Sequence, residues 1–159
     1  MVFGLATGTA LCGNFGCEGL KQPSVIGPVV QQAFALMHQC APERAVSLCN
    51  GEAAAVLKDE VALVHWNYVM LPQSTAPCTI SLMLGLLQDA DAPPGSDVSS
   101  HRLTAGEDRT RRVVNAAFDA FTAGRFQSAK DLLAAQQVDA SWWLADGIAA
   151  VLNLTGERN

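Results

Sequence analysis

The hydrophobic and polar positions of the chain divide it into three stretches of different period. From residue 1 to about 87, short β-like runs alternate with one or two helical segments. Residues 88–107 carry no periodic apolar pattern and are rich in Pro, Gly, Ser and Asp, which predicts a linker or long loop. From 108 to 159 helical spacing returns. In the first stretch, Val2–Thr7 and Ala10–Phe15 read as two strands with a turn at Gly8. Gly13, Gly16 and Gly19 predict a loose connection after them. Pro28 suits the first turn of a helix, where its missing N–H costs nothing. Val30, Ala33, Phe34, Met37 and Cys40 give that helix an apolar face, and Pro42 stops it.

Ala45–Cys49 predicts a short buried strand. Asn50 is placed to cap a helix running to about Lys58, with Glu52 favourable near its positive end. Val61–Leu71 and Thr79–Leu87 read as two more strands, and the prolines of Pro72–Pro77 exclude a central strand between them. In the last stretch Val114, Ala117, Phe118 and Phe121 form one helical face. Gly124 interrupts, and Phe126, Ala129, Leu132 and Leu133 form a second face. Ser141 is placed to cap a third helix carrying Trp142, Trp143, Ile148 and Leu152. The expectation is an α+β fold: a mixed or antiparallel sheet from residues 1–87, then two or three helices in 108–159.

Composition narrows the function classes. Half of the 159 residues are hydrophobic and 16% are charged, which is globular and not disordered. A net charge of −5 argues against nucleic acid or an anionic membrane as the main partner. No apolar run is long enough to span a bilayer, and the apolar start lacks a basic flank, so no membrane insertion is expected. The five cysteines (Cys12, Cys17, Cys40, Cys49, Cys78) form no CxxC pair, and reduced thiols in a cytoplasmic protein are the simplest reading.

Several motifs occur in an order that resembles the later half of the class III adenylate and guanylate cyclase catalytic domain. They are Thr7-Gly8, Gly13-Asn14-Phe15-Gly16 and Val25-Ile26-Gly27, followed by an amphipathic helix. Ala45–Glu60 resembles that family's strand and short helix, and Val64–Gly85 its final hairpin. The resemblance covers roughly Val2 to Leu86 and implies a partial ferredoxin-like sheet. It also implies that the aspartates holding two catalytic metal ions belong to an earlier half with no counterpart in this sequence. Ala120–Leu133 resembles one tetratricopeptide-type helical hairpin, with Gly124, Phe126 and Ala129 at its packing positions.

The resemblance also locates vestigial nucleotide-site positions. The ribose-orienting Asn of the family corresponds to Gln31, and its transition-state Arg, four residues later, to Ala35. The phosphate-binding Lys falls near Pro72, and the purine-selecting position is Ser24. Loss of one preorganised donor of this kind costs about 2.7–4 kcal/mol of barrier. The implied function is a degenerate cyclase-like module, inactive alone, with a regulatory or protein-interaction role in cyclic nucleotide signalling. The alternative is part of an active cyclase, once paired with a chain or segment carrying the aspartates. No catalytic residue, metal ligand or cofactor is assigned, with Mg²⁺ or Mn²⁺ required only if a complete site assembles. The implied partner is a second copy or another cyclase-like chain, because a fragment lacking the family's first strand exposes a sheet edge.

Other candidates have plainer explanations. The glycines of Gly8–Gly19 match neither phosphate-binding fingerprint and read as turn residues. Cys12, Cys17, His38, Cys40 and Cys49 fit no zinc spacing. Cys49 and His65 could be imagined as a nucleophile and base, but His65 sits in a strand pattern beside Trp66. Arg109, Arg111 and Arg112 read as a solvated helix face. Trp142 and Trp143, if helical, point about 100° apart, so one packs and the other lies near the surface.

Overall fold

The computed structural model describes residues 2–40, 47–87 and 103–135. Its elements run β1 (Phe3–Leu5), β2 (Leu11–Cys17), β3 (Leu20–Ile26), α1 (Pro28–Gln39), β4 (Ser47–Cys49), α2 (Gly51–Leu57), β5 (Val61–Val69), β6 (Cys78–Leu86), α3 (Ala105–Thr122) and α4 (Phe126–Ala134). A mixed four-stranded sheet has the order β1-β4-β6-β5, with β1 parallel to β4 and the other pairs antiparallel. The fold is α+β. The third helix expected from Ser141, with Trp142 and Trp143, lies outside the described residues, as do the expected helix stop at Pro42 and strand start at Ala45.

The start of the chain departs from expectation. β1 and β2 do not form a hairpin about Gly8. β1 joins the main sheet through β4, whereas β2 pairs with β3 in a separate two-stranded sheet, Leu11 opposite Ile26 and Cys17 opposite Leu20. The segment read as a loose connection is therefore a hairpin. Its turn is Glu18-Gly19, where Gly19 takes a φ of +100°, a conformation that only glycine adopts freely. Pro23 is tolerated in β3 because each strand of a two-stranded sheet has a free edge.

α1 packs one face of the main sheet. Its Leu36, with Cys40 just past its end, meets Leu48, Val64, Leu71, Ile80 and Leu82, and Val114 of α3 closes the cluster. On the other face, Ala53 of α2 packs with Cys49 and Leu63. Alternation along each strand explains the division: Val64 and Leu82 point to α1, their neighbours Leu63 and Met83 to α2.

α3 begins at Ala105, inside the segment read as a linker. Thr104 and Glu107 form a capping box, each side chain bonding the other's backbone N–H. The helix lies along the outer edge of β5, the terminal strand of the sheet. Asn115 donates through Nδ2 to Leu63 O at 2.9 Å and accepts at Oδ1 from His65 N at 2.9 Å. One side-chain amide thus takes the place of a neighbouring strand on an edge that would otherwise invite foreign pairing. Phe118 and Ala117 pack with Leu133 of α4, and Phe121 meets Phe126 edge-on across the turn at Gly124.

The arginines are not all on a solvated face. Arg111 is 13% exposed in its side chain and lies against β5, reaching Leu63 O with Nη1, while Arg112 is 73% exposed. Both bind Asp108, Arg111 at 2.7 Å and Arg112 at 2.8 Å. Burial pushes the Asp108 carboxyl upward, but the two guanidiniums outweigh it and hold the group below its ordinary range. A lowered folded pKa contributes stability that is present above the unfolded value and is lost as pH falls through the folded one. We therefore expect α3 amides to lose hydrogen-exchange protection as pH drops below the unfolded value of 3.8. In Asp108→Asn that added acid sensitivity should be absent.

Candidate functional site

The sequence-predicted positions converge only in part. Asn50, which ends β4 and caps α2, is 3% exposed. Its Oδ1 accepts from Ala53 N at 3.0 Å, as the cap requires, and from Thr7 N at 3.2 Å. Its Nδ2 donates to Thr7 O at 3.2 Å and to Gln32 Oε1 at 3.3 Å. All four hydrogen-bonding capacities of the amide are used. The Thr7-Gly8 motif is therefore held at both backbone groups by one side chain, which extends the β1–β4 pairing past the end of β1.

Gln32 passes the connection on by donating to Pro72 O at 3.4 Å, and Gln73 Nε2 donates to Gln31 Oε1 at 2.9 Å. Gln73 takes a φ of +57°, the only positive value outside glycine among the described residues. Such a backbone costs of order 1–3 kcal/mol and persists only where surrounding contacts hold it. Here it places the loop between β5 and β6 over α1.

Two of the four expected positions thus take part in contacts between the start of α1 and the β5–β6 loop, Gln31 through Gln73 and Pro72 through Gln32. Ala35 lies one turn further along the helix and supplies no polar group. Ser24 is in β3, opposite Gly13, in the separate hairpin. Neither takes a hydrogen bond in the network. Gln32 and Gln73 escaped the sequence reading, since a glutamine on a helix or in a loop carries no local signal of its partner. Asn50 was legible as a cap but not as the centre of the network.

Chemically the cluster is a set of neutral amides that satisfy one another. It presents no guanidinium, ammonium or carboxylate, so nothing in it would stabilise charge developing on a phosphoryl group. Among the described residues no three His, Cys, Asp or Glu side chains are grouped to hold a metal ion. Cys12 and Cys17 are exposed on the hairpin, while Cys40 and Cys49 are buried on opposite faces of the sheet. Burial pushes the Cys49 thiol up to about 11, which leaves it protonated and a poor nucleophile at neutral pH. Cys49 and His65 are also separated by a strand, since Ser81 of β6 stands opposite both.

No protein-family profile matches the chain, and no curated protein does. Among solved structures, it is similar to the adenylyl cyclase CyaB from P. aeruginosa, with 21% sequence identity and a TM-score of 0.47. The similarity covers 57% of this chain and 44% of that one, so the chain spans less than half the length of the cyclase it matches.

Proposed function

We propose that the chain is a degenerate class III nucleotide cyclase-like module, inactive alone, that acts through protein interaction in cyclic nucleotide signalling. The carrying observation is the amide network at the start of α1. Gln31 is engaged by Gln73, Pro72 contributes a carbonyl where the resemblance implies an ammonium, and Ala35 contributes nothing. A cyclase site needs preorganised positive charge at those points, because the reaction builds charge on the transferred phosphoryl group.

The partner in this reading is a second copy or another cyclase-like chain. β1 is an edge strand of three residues, with Phe3 and Leu5 both exposed. Phe34 of α1 is also exposed, beside an apolar groove of about 400 Å³ that Val2, Ala33 and Met37 help to line. Unpaired edge groups next to apolar side chains are the features an added strand would satisfy.

The same open edge supports the second reading, a contribution to an active cyclase assembled with a chain bearing the aspartates. Product formation separates the two. The purified chain is assayed for cyclic AMP and cyclic GMP with Mn²⁺, alone and mixed with a cyclase domain whose metal-binding half is intact but whose later half carries inactivating substitutions. The first reading predicts background product in both. Restoration in the mixture alone would establish the second reading in its place.

A further inference from the structure

A cavity of about 290 Å³ opens on the sheet face away from α1, between α2, the β5–β6 pair and α3. Its construction is unlike that of the amide network. Ala54 and Ala55 of α2 and Leu63 of β5 supply apolar wall, while Lys58, Ser81 and Arg111 supply polar groups. The two cations share an end: Lys58 closes α2 just before β5, and Arg111 reaches Leu63 O. Gly51, 3.4 Å from Thr79 O by its prospective side chain, marks the other end.

Two features favour an anionic ligand. Ser81 is 1% exposed and lines the cavity, where its hydroxyl can donate. Lys58 and Arg111 are the charged residues of the lining, which contains no Asp or Glu. Asp108 is divided between Arg111 and Arg112, and Lys58 makes no ion pair among the described residues. Arg111 uses Nε and Nη2 on Asp108 and Nη1 on Leu63 O, which leaves two of its five N–H groups free. Asp119, outside the lining, has Oδ1 3.1 Å from His65 Nδ1, and Nδ1 makes no hydrogen bond among the described residues.

We propose that this cavity binds a small organic acid. Its oxyanion is held by Arg111, Lys58 and the Ser81 hydroxyl, and its short carbon body lies against Ala54, Ala55 and Leu63. The volume is near the lower limit for ligand pockets and suits a few heavy atoms, not a nucleotide. Carboxylate and phosphate share the chemistry required, since both accept from guanidinium, ammonium and hydroxyl donors. The site is independent of the cyclase-like reading, because none of its groups belongs to the network at α1.

The test is a chemical-shift titration of the full ¹⁵N-labelled chain with butyrate, propyl phosphate and 1-butanol at fixed pH and ionic strength. We expect saturable shifts at Ala55, Lys58, Leu63, Ser81 and Arg111 with at least one of the acids, with a dissociation constant at or below about 1 mM. Saturation by butyrate alone would assign a carboxylate, and by propyl phosphate alone a phosphate monoester. Butanol should bind at least about tenfold more weakly, as should the better acid to Lys58→Met, a surface change that leaves the fold intact. Ser81→Ala should weaken binding several-fold while its spectrum stays folded. Absence of saturation with both acids would overturn the proposal. So would butanol binding as well as the acids, or an unchanged affinity in Lys58→Met.

Discussion

Replacing Asn50 with Ala is expected to destabilise the protein by about 3 kcal/mol, a large effect for one polar side chain. Roughly 1 kcal/mol comes from the lost cap on α2. The rest comes from Thr7, whose N–H and C=O both lose their partner, at about 1 kcal/mol each. Asn50→Asp separates these contributions. It keeps the acceptor facing Ala53 N and Thr7 N but sets a carboxylate oxygen against Thr7 O and Gln32 Oε1, both acceptors. The variant should be as unstable as Asn50→Ala at neutral pH and recover as the pH falls, because a protonated carboxyl can donate again. Urea unfolding followed by circular dichroism reads both. A loss under about 0.5 kcal/mol in Asn50→Ala, the size of an ordinary surface change, would show that the network does not hold β1 to the sheet.

Phe118→Ala should cost more, about 3–5 kcal/mol, the range for deleting a buried aromatic side chain. Phe118 is 2% exposed, packs with Ala117 and Leu133, and meets the His65 ring edge-on at a centroid distance of 5.6 Å. It therefore joins three elements: α4 through Leu133, α3 on which it lies, and β5 through His65. Loosening α3 would also withdraw Asn115 from Leu63 and His65 and uncover the β5 edge. The variant should consequently lose exchange protection in β5 as well as in the helices, and should aggregate more readily. If α3 and α4 melted while β5 kept full protection, α3 would be an appendage and not the cover of that edge.

Those two residues also show how far the sequence could be read. Helix-period stretches transferred well. The helix expected from Pro28 became α1, although it buries Leu36 and leaves Phe34 of the expected face exposed; the spacing of Val114, Ala117 and Phe118 became the buried side of α3, and Asn50 caps α2. Strand pairing transferred only in part: β5 and β6 form the expected hairpin, but the first strands do not, because period-2 alternation shows which residues share a face and not which strand lies alongside. Val2–Thr7 and Ala10–Phe15 are adjacent in sequence and were expected to pair, yet β1 takes β4 as its neighbour and β2 takes β3. The Glu18-Gly19 turn was obscured by the glycines around it, since Gly13 and Gly16 lie within β2.

The start of α3 was legible and overlooked. Thr104-Ala105-Gly106-Glu107 is a capping-box spacing immediately before a helical pattern, hidden at the end of a Pro- and Ser-rich segment. The candidate site divides the same way. Family-like order pointed to Gln31 and Pro72, whereas their hydrogen-bond partners Gln73 and Gln32 join the network only through tertiary geometry. The cavity beside Ser81 had no sequence signature either, because its floor comes from two strands and its cations from two helices.

The central proposal, that the chain has no working nucleotide site of its own, is tested most directly by calorimetric titration of the full chain with non-hydrolysable ATP and GTP analogues in the presence of Mn²⁺. The account predicts no metal-dependent heat of binding for either nucleotide. Tight, Mn²⁺-dependent binding of one of them would contradict it, and would mean that other groups supply the charge which Gln31, Ala35 and Pro72 lack.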